Sequence, residues 1–155
     1  MESSVGQSAS VVGTFHHIGF VVASIQASVQ GFLDALHAEW DGTIFHDPNQ
    51  VVRVTFLRGK NGANPLLELV EPAGEKSPVI PFLKRGGGLH HLCYEIENLE
   101  DQLALSRAQG GLVVRPPLPA VAFEGRRIAW IYTRNKLLLE FLERQHQEQK
   151  RPAQE

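Results

Sequence analysis

The sequence predicts an α+β fold of two tandem βαβββ modules, and three observations carry the prediction. Residues 16–25, HHIGFVVASI, align with residues 90–99, HHLCYEIENL, at an offset of 74. Residues 66–71, LLELVE, align with residues 138–143, LLEFLE, at an offset of 72, with four of six positions identical. Two matches in the same order at nearly equal offsets indicate a duplicated unit, and so long a period means paired modules instead of a solenoid. Finally, each copy reads strand, helix, strand, strand, strand in its apolar pattern.

In the first copy, residues 15–22 alternate and are rich in Val, Ile and Phe, as a strand requires. Ser24 is a good N-cap, and Ile25, Val29, Phe32, Leu33 and Leu36 then fall at helical spacing. Strands are expected near 39–45, 51–58 and 65–71, with turns at Asp47-Pro48-Asn49 and Lys60-Asn61-Gly62. The second copy predicts strand 89–96, a helix over 99–109 capped by Asn98 and ended by Gly110-Gly111, then strands near 112–115, 127–133 and 137–143. Between the copies, Ser77-Pro78 predicts the start of a short helix reaching about Leu83. Gly86-Gly87-Gly88 gives a flexible entry to the next strand; preceding a strand and not a helix, it is no phosphate-binding loop. The expected organisation is a tail over 1–13, one domain over 14–143 with modules 14–72 and 88–143, and a polar tail over 144–155.

The 155 residues are 43% apolar and 21% charged, the balance of an ordinary globular domain. No run approaches the roughly 18 apolar residues of a membrane helix. A net charge of −2 gives no pull toward nucleic acid. Cys93 stands alone, which excludes an internal disulfide and a multi-cysteine zinc site. MESSVGQSAS has neither the basic start nor the apolar stretch of a secretory signal, so a cytoplasmic protein is expected.

Four of the seven histidines form two adjacent pairs, His16-His17 and His90-His91. Strand alternation places His17, Gly19 and Val21 on one face and His16, Ile18, Phe20 and Val22 on the other. Likewise His91, Cys93 and Glu95 oppose His90, Leu92, Tyr94 and Ile96. The face of Ile18, Phe20, Leu92 and Tyr94 is expected to pack on the helices, leaving His17 and His91 on the open face with small neighbours beside them. Glu68 and Glu140 sit within the apolar strands LLELV and LLLEFL. A buried carboxylate is costly unless paired or metal-bound. His17, Glu68, His91 and Glu140 together answer that problem by holding a divalent ion. Without thiolates the set suits cobalt, nickel, manganese, zinc or iron. Four ligands leave open positions on a six-coordinate ion, as Lewis-acid catalysis requires. His16 and His90 either support this site from behind or cap the sheet edge. His37, His46 and His146 read as solvated surface.

Residues 67–99, LELVEPAGEKSPVIPFLKRGGGLHHLCYEIENL, resemble a stretch of the methylmalonyl-CoA epimerase family, within the vicinal oxygen chelate (glyoxalase/bleomycin-resistance/dioxygenase) superfamily. There the first metal-binding glutamate is followed by SPI, FL and GGGxHHxCYEV. The resemblance implies an open, U-shaped mixed sheet around a metal bound by His17, Glu68, His91 and Glu140, and in many members a homodimer. It also implies an isomerase or epimerase acting by proton transfer next to a carbonyl or thioester, on a small molecule such as an acyl-CoA. Two departures stand out. The family's hairpin glutamate, an acid/base, falls at Asn49, which cannot take a proton. The family's HGKP turn is EGRR here, residues 124–127. The base is therefore expected to be Glu140, beside the metal-bound substrate, with Glu124 second on a loop bordering the cleft. Alternatives are a glyoxalase-like isomerase or lyase on another small oxygenated metabolite, and a non-catalytic ligand-binding member. An extradiol dioxygenase fits less well, since Glu68 would fill a position its two substrates need. Lys84, Arg85, Arg107, Arg126, Arg127 and Arg134 could meet CoA phosphates, although solvated surface is the default for each.

Overall fold

The computed structural model describes residues 13–62 and 65–145. The expected tails lie outside these residues except at their inner ends: Gly13 opens the first strand, and Arg144 pairs with Glu95 and Glu97. His146 also lies outside.

The first module holds β1 (Gly13–Val21), α1 (Ile25–Leu36), β2 (Ala38–Glu39), β3 (Phe45–Asp47), β4 (Val52–Gly59) and β5 (Pro65–Pro72). A short α2 (Ile80–Lys84) links it to the second, which holds β6 (Gly88–Ile96), α3 (Leu99–Ala108), β7 (Leu112–Pro119), β8 (Arg127–Tyr132) and β9 (Leu138–Glu143). All strands join one open mixed sheet in the order β2-β4-β5-β1-β6-β9-β8-β7, with β3 pairing to β4 beside that path. The central run β4-β5-β1 is mirrored by β8-β9-β6, and β1 meets β6 antiparallel at the junction. The α+β class and the duplicated unit thus hold. Among the described residues no helix is long and apolar enough to cross a membrane.

Both predicted caps form: the Ser24 side chain accepts from Ala27 N and that of Asn98 from Asp101 N. α1 buries Ile25 and Val29 against Leu57, Leu67 and Leu69, while α3 buries Leu99 and Leu103 against Ile131 and Phe141. Ile18 and Phe20 pack into the first of these layers and Tyr94 into the second, as alternation predicts.

Three elements differ from expectation. The strand near 39–45 is broken into β2 and β3. Asp41 Oδ1 accepts from Thr43 N at 2.8 Å, and Gly42 has a positive φ, so residues 41–43 leave the regular strand, and the Thr43 carbonyl accepts from the Thr55 hydroxyl of β4 instead. β7 runs on past residue 115 through Pro116 and Pro117 because it is an edge strand, where a missing donor is tolerated. Ser77 does not cap α2, which begins at Ile80 with no side-chain cap bond; the buried Ser77 hydroxyl finds no hydrogen-bond partner among the described residues.

Candidate metal centre

The site grows out of the strand pairing at the pseudo-twofold axis. Gly19 lies beside Glu68 on one flank and His91 on the other. Cys93 holds the matching place, beside His17 and Glu140. Two copies of one strand pattern, paired antiparallel, therefore bring one His and one Glu from each module to a single point.

His17, Glu68, His91 and Glu140 are all buried, none more than 4% exposed. His91 Nε2 lies 3.2 Å from Glu68 Oε2, 3.4 Å from His17 Nε2 and 3.6 Å from Glu140 Oε2. His17 Nε2 lies 3.4 Å from Glu68 Oε2. Ligands about 2.1 Å from a common ion are separated by roughly 3.0 Å at octahedral corners and 3.4 Å at tetrahedral ones. Three of the four observed spacings fall within that range, and the His91–Glu140 spacing, at 3.6 Å, is slightly wider. No Lys or Arg among the described residues pairs with Glu68 or Glu140, so two carboxylates are buried without a fixed cation. A divalent ion is the group that this donor set fits.

The geometry leaves a strong electrostatic imprint. Burial opposes the charge on Glu68, but His17 and His91 outweigh it and hold its carboxyl far below the usual carboxylate range. Burial, then the charge of Glu68, pushes Glu140 upward. Burial pulls His17 down, and Glu68 and Glu140 together more than reverse this. Burial and Glu140 keep the Cys93 thiol protonated; its Sγ lies 3.5 Å from Glu140 Oε1.

The parity argument fails for His16 and His90, and the reason is a pair of symmetric β-bulges. The β1–β6 register slips between Phe15 and His17, making His16 the extra residue, and between Gly19 and Phe20, making His90 the extra one. Each bulge turns the first histidine toward the second. His16 Nδ1 is 2.8 Å from His17 Nδ1, and His90 Nδ1 is 2.9 Å from His91 Nδ1. If Nε2 of the inner ring faces an ion, its Nδ1–H must donate and the outer ring must accept, an arrangement that fixes tautomer and orientation. Burial, reinforced by the neighbouring inner histidine, lowers His16 and His90 to about 4, so both outer rings are neutral acceptors at neutral pH.

The centre opens on a cavity of about 190 Å³ bordered by Glu68, His91 and Glu140. Most of its wall is apolar, with Val54, Val70, Phe123, Ile128 and Trp130 prominent. Phe123 stacks on His17 at 6.0 Å, and Trp130 meets His91 edge-on at 4.7 Å.

Glu124 does not border this cavity, contrary to its expected place. The backbone enters the left-handed region at Glu124, at the end of the 3₁₀ turn Val121–Phe123, and the exposed side chain lines a separate polar recess with Arg58 and Arg126. Asn49 is also exposed; its neighbours Asp47 and Gln50 are the hairpin residues that reach the cavity. Asp47 Oδ1 accepts from the backbone N–H groups of Asn49 and Gln50, and Oδ2 from that of Val121. Sequence reasoning finds the turn at Asp47 but not its burial, and it passes over Gln50, Arg115 and Trp130. Register supplies Trp130, which sits opposite Glu140. None of the six basic residues weighed for phosphate binding borders the cavity; Arg126 pairs with Glu95, and Arg127 with Glu100 and Glu143.

A model of the glyoxalase/bleomycin resistance protein/dioxygenase superfamily matches residues 16–130. The chain belongs to this superfamily. The chain is also similar to two curated proteins and to a solved structure. The ethylmalonyl-CoA/methylmalonyl-CoA epimerase of Cereibacter sphaeroides is 27% identical over 127 residues, 81% of this chain and 92% of the relative. An uncharacterised Bacillus subtilis protein is 36% identical over 136 residues, 82% of this chain and 89% of its own. Among solved structures, a methylmalonyl-CoA epimerase of Streptomyces coelicolor in complex with 2-nitronate-propionyl-CoA superposes with a TM-score of 0.72 at 24% identity, covering 88% of this chain and 100% of that one. This last likeness supports the superfamily fold.

Proposed function

We propose that this superfamily member is a metal-dependent, epimerase-type enzyme that moves a proton at the carbon next to a thioester carbonyl, on an acyl-CoA or a close analogue. The observation carrying this reading is the convergence of two imidazole nitrogens and two carboxylates beside an apolar cavity. Similarity to an ethylmalonyl-CoA/methylmalonyl-CoA epimerase over most of both chains supports it.

His17, Glu68, His91 and Glu140 would hold the ion. When bound, it supplies Lewis-acid polarisation of the substrate carbonyl, whose oxygen gains negative charge as the α-proton leaves. His16 and His90 keep the inner imidazoles correctly turned. Phe123, Trp130 and the valines exclude water, which strengthens every charge interaction within. Glu140 borders the cavity and takes the proton.

One observation favours a second reading. Among the described residues, the cavity carboxylates are Asp47, Glu68 and Glu140, and both Asp47 oxygens are occupied by backbone N–H groups. Glu68 is the remaining candidate for a second proton carrier, but His17 and His91 hold its carboxyl far below the usual range, and a glyoxalase-like isomerase or lyase needs only one carrier. Deuterium exchange into methylmalonyl-CoA by the metal-loaded protein decides the matter. Exchange with loss of configuration supports the epimerase, exchange with retention supports one-sided chemistry, and no exchange defeats the α-proton reading for this substrate.

A further inference from the structure

We propose that Arg115 is the specificity-determining residue of the cavity, gripping a carboxylate carried on the acyl group of the substrate. The inference rests on reading the cavity as a site for acyl substrates.

Arg115 is the one lysine or arginine among the described residues bordering the cavity. It is half-buried, on the edge strand β7, where the β7–β8 register shifts on both sides of it. Such irregularities re-aim a side chain out of the regular pleat. Several other arginines are committed: Arg53 to Glu71, Arg126 and Arg144 to Glu95, Arg127 to Glu143 and Glu100. Arg115 has no carboxylate within ion-pair distance among the described residues, although Asp47, Glu68 and Glu140 border the same cavity. Its one hydrogen bond there runs from Nη1 to the Asn49 carbonyl oxygen at 3.1 Å. That bond joins β7 of the second module to the hairpin of the first and orients the guanidinium. The remaining donors of the fork have no protein partner among the described residues.

A guanidinium with free donors at the border of an apolar cavity matches a carboxylate bidentately. Charge balance points the same way. Glu68 and Glu140 offset the two charges of a divalent ion, so the ion alone offers an anionic acyl group little net attraction. Arg115 supplies the missing positive charge.

The test uses the metal-loaded full chain and two pantetheine thioesters of similar shape: methylmalonyl-pantetheine, with a carboxylate, and isobutyryl-pantetheine, without one. 3′,5′-ADP serves as a phosphate probe. Calorimetric titration should show the wild type preferring the methylmalonyl thioester. Arg115→Gln, which can still donate to the Asn49 carbonyl, should weaken that binding about 10–100-fold while leaving isobutyryl-pantetheine affinity and metal content unchanged. Arg115→Lys should fall between, keeping charge but losing the fork. Three results would overturn the proposal: equal affinity of wild type for the two thioesters, unaltered methylmalonyl binding by Arg115→Gln, or a loss confined to 3′,5′-ADP. Solvent exchange is scored separately. Carboxylate selection by Arg115 without exchange refutes the proton-transfer reading alone; exchange with KM unchanged in Arg115→Gln refutes Arg115 alone.

Discussion

Gly19→Ala tests the metal centre with the smallest possible change. A Cβ at Gly19 would stand 1.9 Å from Cε1, 2.2 Å from Nδ1 and 2.5 Å from Nε2 of the His91 ring. Carbon atoms in contact sit about 3.5 Å apart, so the ring must retreat by roughly 1.5 Å. Metal–ligand distances tolerate about 0.2 Å, and a displaced His91 therefore no longer binds the ion. The ring has little room to retreat, with Trp130 packed edge-on against it and His90 holding its Nδ1. Overpacking of this kind costs about 1–3 kcal/mol. For a chain of this size that lowers the metal-free melting temperature by roughly 2–12 °C. At a metal concentration of 1,000 Kd the wild type gains about 4 kcal/mol, and a hundredfold weaker site gains about 1.4. Equilibrium dialysis should show at least that hundredfold loss, and thermal unfolding a much smaller metal-induced shift. Gly13→Ala is the matched control, because its closest contact, at 2.8 Å, is the Cδ1 end of the Ile96 side chain, which can yield. Wild-type metal affinity in Gly19→Ala would show that His91 is not a ligand, or that the ring does not lie over β1.

Other perturbations separate the remaining roles. Gly31→Ala should stabilise the protein by about 0.5–1 kcal/mol in urea unfolding, since Gly31 lies inside α1 and an added methyl meets nothing within 4 Å. His16→Phe removes the acceptor behind His17 and should weaken metal binding about 10–100-fold by dialysis, with the fold retained by circular dichroism. His16 and His90 titrate near 6.5 when unfolded and about 4 when folded, so the unfolded chain binds more protons between these values. The contribution of these two histidines to metal-free stability should thus be greatest above pH 6.5 and be lost as pH drops toward 4, and the decline in melting temperature over that window should be shallower in His16→Phe. Glu124→Gln should leave solvent exchange intact, because Glu124 faces the other recess, whereas Glu140→Gln should abolish it.

The repeat makes much of this protein legible in its sequence. Duplicated histidines and glutamates single out His17, Glu68, His91 and Glu140, because a buried carboxylate within an apolar strand demands a partner and symmetry points to the other copy. Gly19 and Cys93 are legible as small neighbours for the same reason. Strand pairing decides what a one-dimensional pattern cannot hold. Alternation assigns faces only while the pleat is regular, and the bulges at His16 and His90 break it, turning both outer rings toward the centre. The cavity wall comes from segments far apart in the chain: Asp47 bonds Val121, and Arg115 reaches the carbonyl of Asn49. No local spacing encodes those meetings, since they follow from the second module folding back against the first. Glu124 shows the converse: its segment does reach the cleft through Ala120, Ala122 and Phe123, but the backbone enters the left-handed region at Glu124 and its side chain lines the other recess.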